Sequence, residues 1–63
     1  MQELNYLRRK ILEAMGNRTE YVASGAAKDY ASYQRVVGEL SGLSLALDEI
    51  EDLQQNIEKA NDD

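Results

Sequence analysis

The sequence predicts an all-α fold: an antiparallel helical hairpin with a long second helix that overhangs and packs on another chain. Three observations predict it. Proline is absent, and good helix formers (Ala, Leu, Glu, Gln, Arg, Lys) fill most of the 63 residues. Large apolar residues recur at steps of three and four in two separate series. Between the series lies a single stretch of small residues containing a breaker, Ala23-Ser24-Gly25-Ala26-Ala27.

The first series is Leu4, Leu7, Ile11, Ala14 and Met15, with Arg8, Arg9 and Glu13 mostly on other faces. Gly16-Asn17 offers an ending, because glycine readily takes the left-handed conformation past a helix terminus. Asn17 and Glu20 would then form a new capping box. Val22 falls back on the same stripe, however, which favours one helix over about 3–22 with Gly16 inside it. The turn is placed at about 23–27, with Gly25 for unusual dihedrals and Ser24 as a candidate cap of the next helix.

The second helix is expected over about 27–60, ending in a frayed acidic C-terminus. Tyr33, Val36, Leu40, Leu43, Leu47, Ile50 and Ile57 alternate steps of three and four, with Gln54 where the pattern wants another large apolar residue. This is a heptad seam, which predicts left-handed supercoiling against a partner helix. Val37, Ala46 and Leu53 broaden the stripe. With a turn centred near Gly25, Leu4 would face about Leu45. Leu47, Ile50, Leu53 and Ile57 would then project beyond helix 1. Full burial of a Leu or Ile is worth about 1.5–3 kcal/mol, so four left in water would forfeit most of a small domain's stability. That reasoning calls for another chain.

Composition excludes most chemistry. Cys and His are both missing, which removes disulfides, zinc fingers, haem ligation and thiol catalysis. A chain this short buries little surface, so association is the remaining route to stability. No apolar run approaches the roughly 20 residues of a membrane span, and the opening MQELNYLRRK lacks a signal-peptide core. Asn17-Arg18-Thr19 is then a chance glycosylation match. Residues 1–31 carry five basic and four acidic groups, residues 32–63 two and eight. Arg8-Arg9-Lys10 is too small a cluster for nucleic acid on a chain of net charge −5, and is better placed to face the acidic second helix.

Asp48, Glu49, Glu51 and Asp52 lack both the spacing of a calcium loop and a pocket, and read as a solvated face. Tyr21, Tyr30 and Tyr33 gather near the turn, either as a cap on the hairpin's end or as an interface. Gly38, Gly42 and Ala46, spaced by four, form a small-residue ridge that permits close approach of helix 1 or of an external chain. The expected protein interface is therefore Gly38, Leu40, Gly42, Leu43, Ala46, Leu47, Ile50, Leu53 and Ile57. No catalytic, cofactor-binding or metal-binding residue is expected.

The stretch Ser24-Gly25-Ala26-Ala27-Lys28-Asp29-Tyr30, followed by Tyr33, Val37-Gly38, Gly42-Leu43, Ala46 and the Ile50/Leu53 seam, resembles short proteins of tailed bacteriophages encoded near head and packaging genes. The resemblance spans about residues 4–55 and implies a minor virion component docked in many copies on a portal or head–tail connector. The expectation is thus a non-enzymatic structural protein that self-associates or joins such an assembly, without nucleic acid, membrane, cofactor or small-molecule substrate. It would reside in the virion, or otherwise in the host cytoplasm. The competing expectation is an acidic regulatory or assembly-chaperone peptide that masks a partner surface transiently.

Overall fold

The computed structural model describes residues 1–61, apart from the Asn61 side chain. It is an all-helical hairpin of α1 (Gln2–Ala23) and α2 (Tyr30–Asn61). The fraying expected at Asp62 and Asp63 lies outside the described residues. The molecule is a rod of 52 × 16 × 13 Å, its length set by the 32 residues of α2 at about 1.5 Å each.

α1 runs unbroken through Gly16. The capping box at Asn17 is unused, and the Thr19 hydroxyl donates to the Met15 carbonyl inside the same helix. The helix ends in a Schellman turn. Gly25 takes φ +80°, its N–H donates to the Val22 carbonyl, and the Ala26 N–H reaches back to Tyr21. Ser24 belongs to this ending, its hydroxyl donating to the Tyr21 carbonyl, and does not cap α2.

The cap of α2 is Asp29. Its carboxylate accepts the Ser32 backbone N–H at 2.7 Å, and its carbonyl accepts from Tyr33. The Ser32 backbone and side-chain hydrogen bonds, with Arg35 adding attraction, hold the Asp29 carboxyl pKa below the usual carboxylate range. α2 therefore begins at Tyr30, three residues later than about 27, and the connection is correspondingly longer.

That connection changes the register. The Gln54 side-chain amide donates to Asn5 Oδ1 at 2.8 Å. Arg8 Nε lies 3.9 Å from Glu51, and Arg18 Nε lies 3.5 Å from Glu39. These contacts place Leu4 level with Gln54, Arg8 with Ile50, Ile11 with Leu47, Met15 with Leu43, Arg18 with Leu40 and Val22 with Val36. Each layer pairs alternating seam positions of two antiparallel heptad helices.

The expected overhang is corrected on this point. Leu47, Ile50 and Ile57 do not project past α1; Ile50 is buried, and Leu47 and Ile57 are half-buried. The extra length of α2 is shared between its ends, about one turn beyond each end of α1. The assumption that failed was a turn centred on Gly25. Three further residues and the Asp29 cap let α2 start beyond the end of α1, so its C-terminal third slides into contact.

Candidate protein-interaction face

Two helices cannot surround a core, and among the described residues only Val36 (4% exposed) and Ile50 (9%) are buried. The other seam residues Leu4, Ile11, Met15, Val22, Leu40, Leu43, Leu47 and Ile57 are half-buried. Arg8, Arg18 and Gln54 share that seam as half-buried polar members. Arg18 Nη1 donates to the Ala14 carbonyl, while its Nε is covered without a hydrogen-bond partner. The seam leaves two open flanks, one on each side of the plane containing both helix axes.

On the first flank Leu7, Ala14 and Tyr21 recur every seven residues along α1, and Glu39, Ala46 and Leu53 do so along α2. One end is a groove where Leu4 and Leu7 meet Ile50 and Leu53, rimmed by Glu49, Asp52 and Asn56. At the other end Tyr21 and Val36 share a groove with the polar Asn17, Arg18, Arg35 and Glu39. Between them lie only the half-buried Ala14 and Ala46, giving the flank a narrow waist. Leu7 and Leu53 remain 45% and 47% exposed, against the usual preference of leucine for burial.

The second flank is mixed as well. Met15, Val37 and Leu40 share a groove with Ser41, Ser44 and Asp48, and exposed Leu12 and Leu45 lie towards its rims. Farther along, it is occupied by the Asn5–Gln54 hydrogen bond and the Arg8–Glu51 pair. Polar side chains therefore interrupt it at that end.

Of the residues expected to form an interface, Leu40, Leu43, Leu47, Ile50 and Ile57 are engaged in the seam. Gly42, Ala46 and Leu53 lie on or beside the first flank. Gly38 lies on the back of α2. A Cβ added at Gly38 or Gly42 would meet nothing within 4 Å, so α1 does not dock on the small-residue ridge. Tyr30 and Tyr33 do not cap a core either: they are 75% and 42% exposed, and the Tyr30 hydroxyl accepts a hydrogen bond from Gln34.

Reading α1 as one stripe concealed that Leu7, Ala14 and Tyr21 form a face of their own. Their spacing of seven was the available signal. The placement of Arg8 and Arg18 in the seam was missed for the same reason: an apolar stripe is sought by apolar residues.

Charge on the two helices is unequal. α1 carries four basic and three acidic side chains, α2 two and six. Among the described residues, Asp48, Glu49, Asp52 and Glu58 have no ion-pair partner. No three acidic side chains among those residues come together to hold a metal ion, and no helix is long and apolar enough to cross a membrane.

Fold and face together define an antiparallel two-helix coiled coil with an uncovered apolar side. No family model, curated protein or solved structure matches the chain.

Proposed function

We propose that the chain is a non-enzymatic interaction module whose hairpin presents its first flank to another protein surface. The observation that supports this is the flank itself: Leu7, Leu53 and Tyr21 stand exposed around an alanine waist, with only two buried side chains among the described residues. Leu7 and Leu53 keep nearly half of their surface in water in the lone hairpin, and an interface would bury it.

The setting suggested by the resemblance over about residues 4–55 is a minor virion or head–tail assembly protein, docked in multiple copies on a portal or connector. That setting rests on those sequence features alone.

The test is recovery of tagged chain from the cells or particles that produce it. A structural component is recovered in fixed stoichiometry with its finished assembly. An assembly chaperone is recovered with intermediates and is missing from the finished product. Ala46→Arg, on the waist, is expected to abolish recovery of the partner while leaving helix content intact. Undiminished recovery with both Ala46→Arg and Leu53→Arg would refute the assignment of this flank.

A further inference from the structure

The first flank is its own complement. We propose that it is covered by a second copy of the chain, related by a two-fold axis parallel to the hairpin. Each α1 then lies against the other copy's α2 in a four-helix bundle, with both connections at one end. This inference rests on the reading of the chain as an interaction module and specifies the occupant of its flank.

Surface area argues for a partner of about this size. A compact folded chain of 7.1 kDa exposes about 4,100 Å², whereas this one exposes 4917 Å². The surplus, about 800 Å², is what each partner contributes to a standard stable interface. The Cα radius of gyration is 15.1 Å, against about 10.6 Å for a compact domain of this length. Side-by-side pairing thickens the rod without lengthening it.

The register makes the pairing self-consistent. Within one chain Leu7 and Leu53 lie within about 3 Å of the same level, as do Ala14 and Ala46. An axis parallel to the hairpin preserves those levels, so Leu7 meets the partner's Leu53 and Ala14 meets the partner's Ala46. The contact repeats with the roles exchanged, as an isologous interface requires. Small side chains at the waist permit the backbones to approach to about 8 Å. Gly42, one turn from Ala46 and open in the monomer, widens the room for that approach.

Charge selects this axis over the alternative. A two-fold perpendicular to the hairpin would stack α2 on α2, bringing together helices that each carry six acidic side chains and two basic ones. The parallel axis sets each α2 on the less acidic α1. It also brings Lys10 level with the partner's Glu49. Within its own chain Lys10 has only the exposed Glu13 at 4.0 Å, and Glu49 has no ion-pair partner among the described residues.

The experiment is sedimentation equilibrium of the full chain at micromolar concentrations, with circular dichroism of the same samples. The expected mass is twice the 7.1 kDa of one chain, falling to one chain for a helical Ala46→Arg variant. Lys10→Glu should weaken the dimer about tenfold, and Glu49→Lys in the same chain should restore it. The chain has no native cysteine, so thiol crosslinking reads the geometry directly. Ala14→Cys mixed with Ala46→Cys should crosslink through a short thiol reagent, and Ala14→Cys alone should not. Efficient crosslinking of Ala14→Cys to itself would overturn the parallel axis. A helical monomer throughout would overturn self-pairing, while partner recovery with and without Ala46→Arg judges the interaction-module reading separately.

Discussion

Gly38→Ala isolates what the backbone of α2 needs from what its surface needs. Gly38 sits inside the helix without the positive φ that marks Gly25, and a Cβ there meets no heavy atom within 4 Å. Alanine therefore fits without strain. It gains the helix-propensity difference, about 0.8–1.0 kcal/mol, part of which comes from restricting the unfolded chain. In a domain of this size about 1 kcal/mol raises the melting temperature by roughly 4–8 °C. Gly16→Ala meets the same open space on α1. The two sites are on different helices, so their gains should add to about 2 kcal/mol. The assay is thermal melting followed by circular dichroism, all variants at one chain concentration. Gly42→Ala supplies the contrast: it stabilises a dilute monomer equally but places a methyl group beside the proposed interface. Gly42→Leu, bulkier there, should disrupt pairing outright. A lowered melting temperature for Gly38→Ala would refute the reasoning, because it would mean that the back of α2 is covered instead of the first flank.

Ile50→Ala removes one of two buried side chains and should cost about 2–5 kcal/mol, enough to abolish helical signal in a chain this small. Leu53→Ala, at 47% exposure, should leave the helix content of dilute chain nearly unchanged while weakening association; equal loss of helix in both variants would contradict the assigned burial. Arg18→Met should be neutral or stabilising in urea titrations, since the covered Nε has no hydrogen-bond partner, and a strongly destabilised variant would show that its contacts with Glu39 and Ala14 matter more than its desolvation. Asp29 has a lowered folded-state pKa, so its contribution is complete above the ordinary carboxyl value of 3.8 and is lost as pH falls through the lower folded value. Asp29→Asn, which still caps, should flatten that part of an acid titration monitored by circular dichroism; an unchanged acid limb would remove Asp29 from the account.

Much of the fold was legible because helices advertise themselves in one dimension. The steps from Val36 to Ile57 marked the seam of α2, and the return of Val22 to the stripe carried α1 through Gly16. The ends were harder to read. Ser24 and Asp29 are both good capping residues, and only the Schellman hydrogen bonds around Gly25 assign one to each helix. Of the expected interface, Gly42, Ala46 and Leu53 lie at the proposed flank, Gly38 lies on the back of α2, and Leu40, Leu43, Leu47, Ile50 and Ile57 belong to the hairpin's own seam. Side chains of one heptad stripe look alike in sequence whether they meet a helix of the same chain or of another.

The register shows why polar seam residues matter more here than their modest energies suggest. A heptad seam slipped by one full repeat still meets large residues with large residues, so apolar periodicity alone does not choose between registers. Slipped towards a shorter connection, Arg8 would stand level with Leu43 and Arg18 with Tyr33, both flanked by Ser, Gln and Gly rather than by carboxylates. In the observed register Arg8 reaches Glu51, Arg18 reaches Glu39, and Asn5 meets Gln54. Exposed ion pairs of this kind are worth about 0.2–1 kcal/mol each. Together with the burial of Ile50, which the slipped register would forgo, they separate two otherwise similar packings. Gln54, which interrupts the apolar pattern, is thus one of the residues that sets the alignment. That alignment in turn brings Leu7 near the level of Leu53 and Ala14 near that of Ala46. The self-complementary flank exists only because the seam is in this register, so Gln54→Leu, chosen to improve the seam, should also loosen control over the pairing of the flanks.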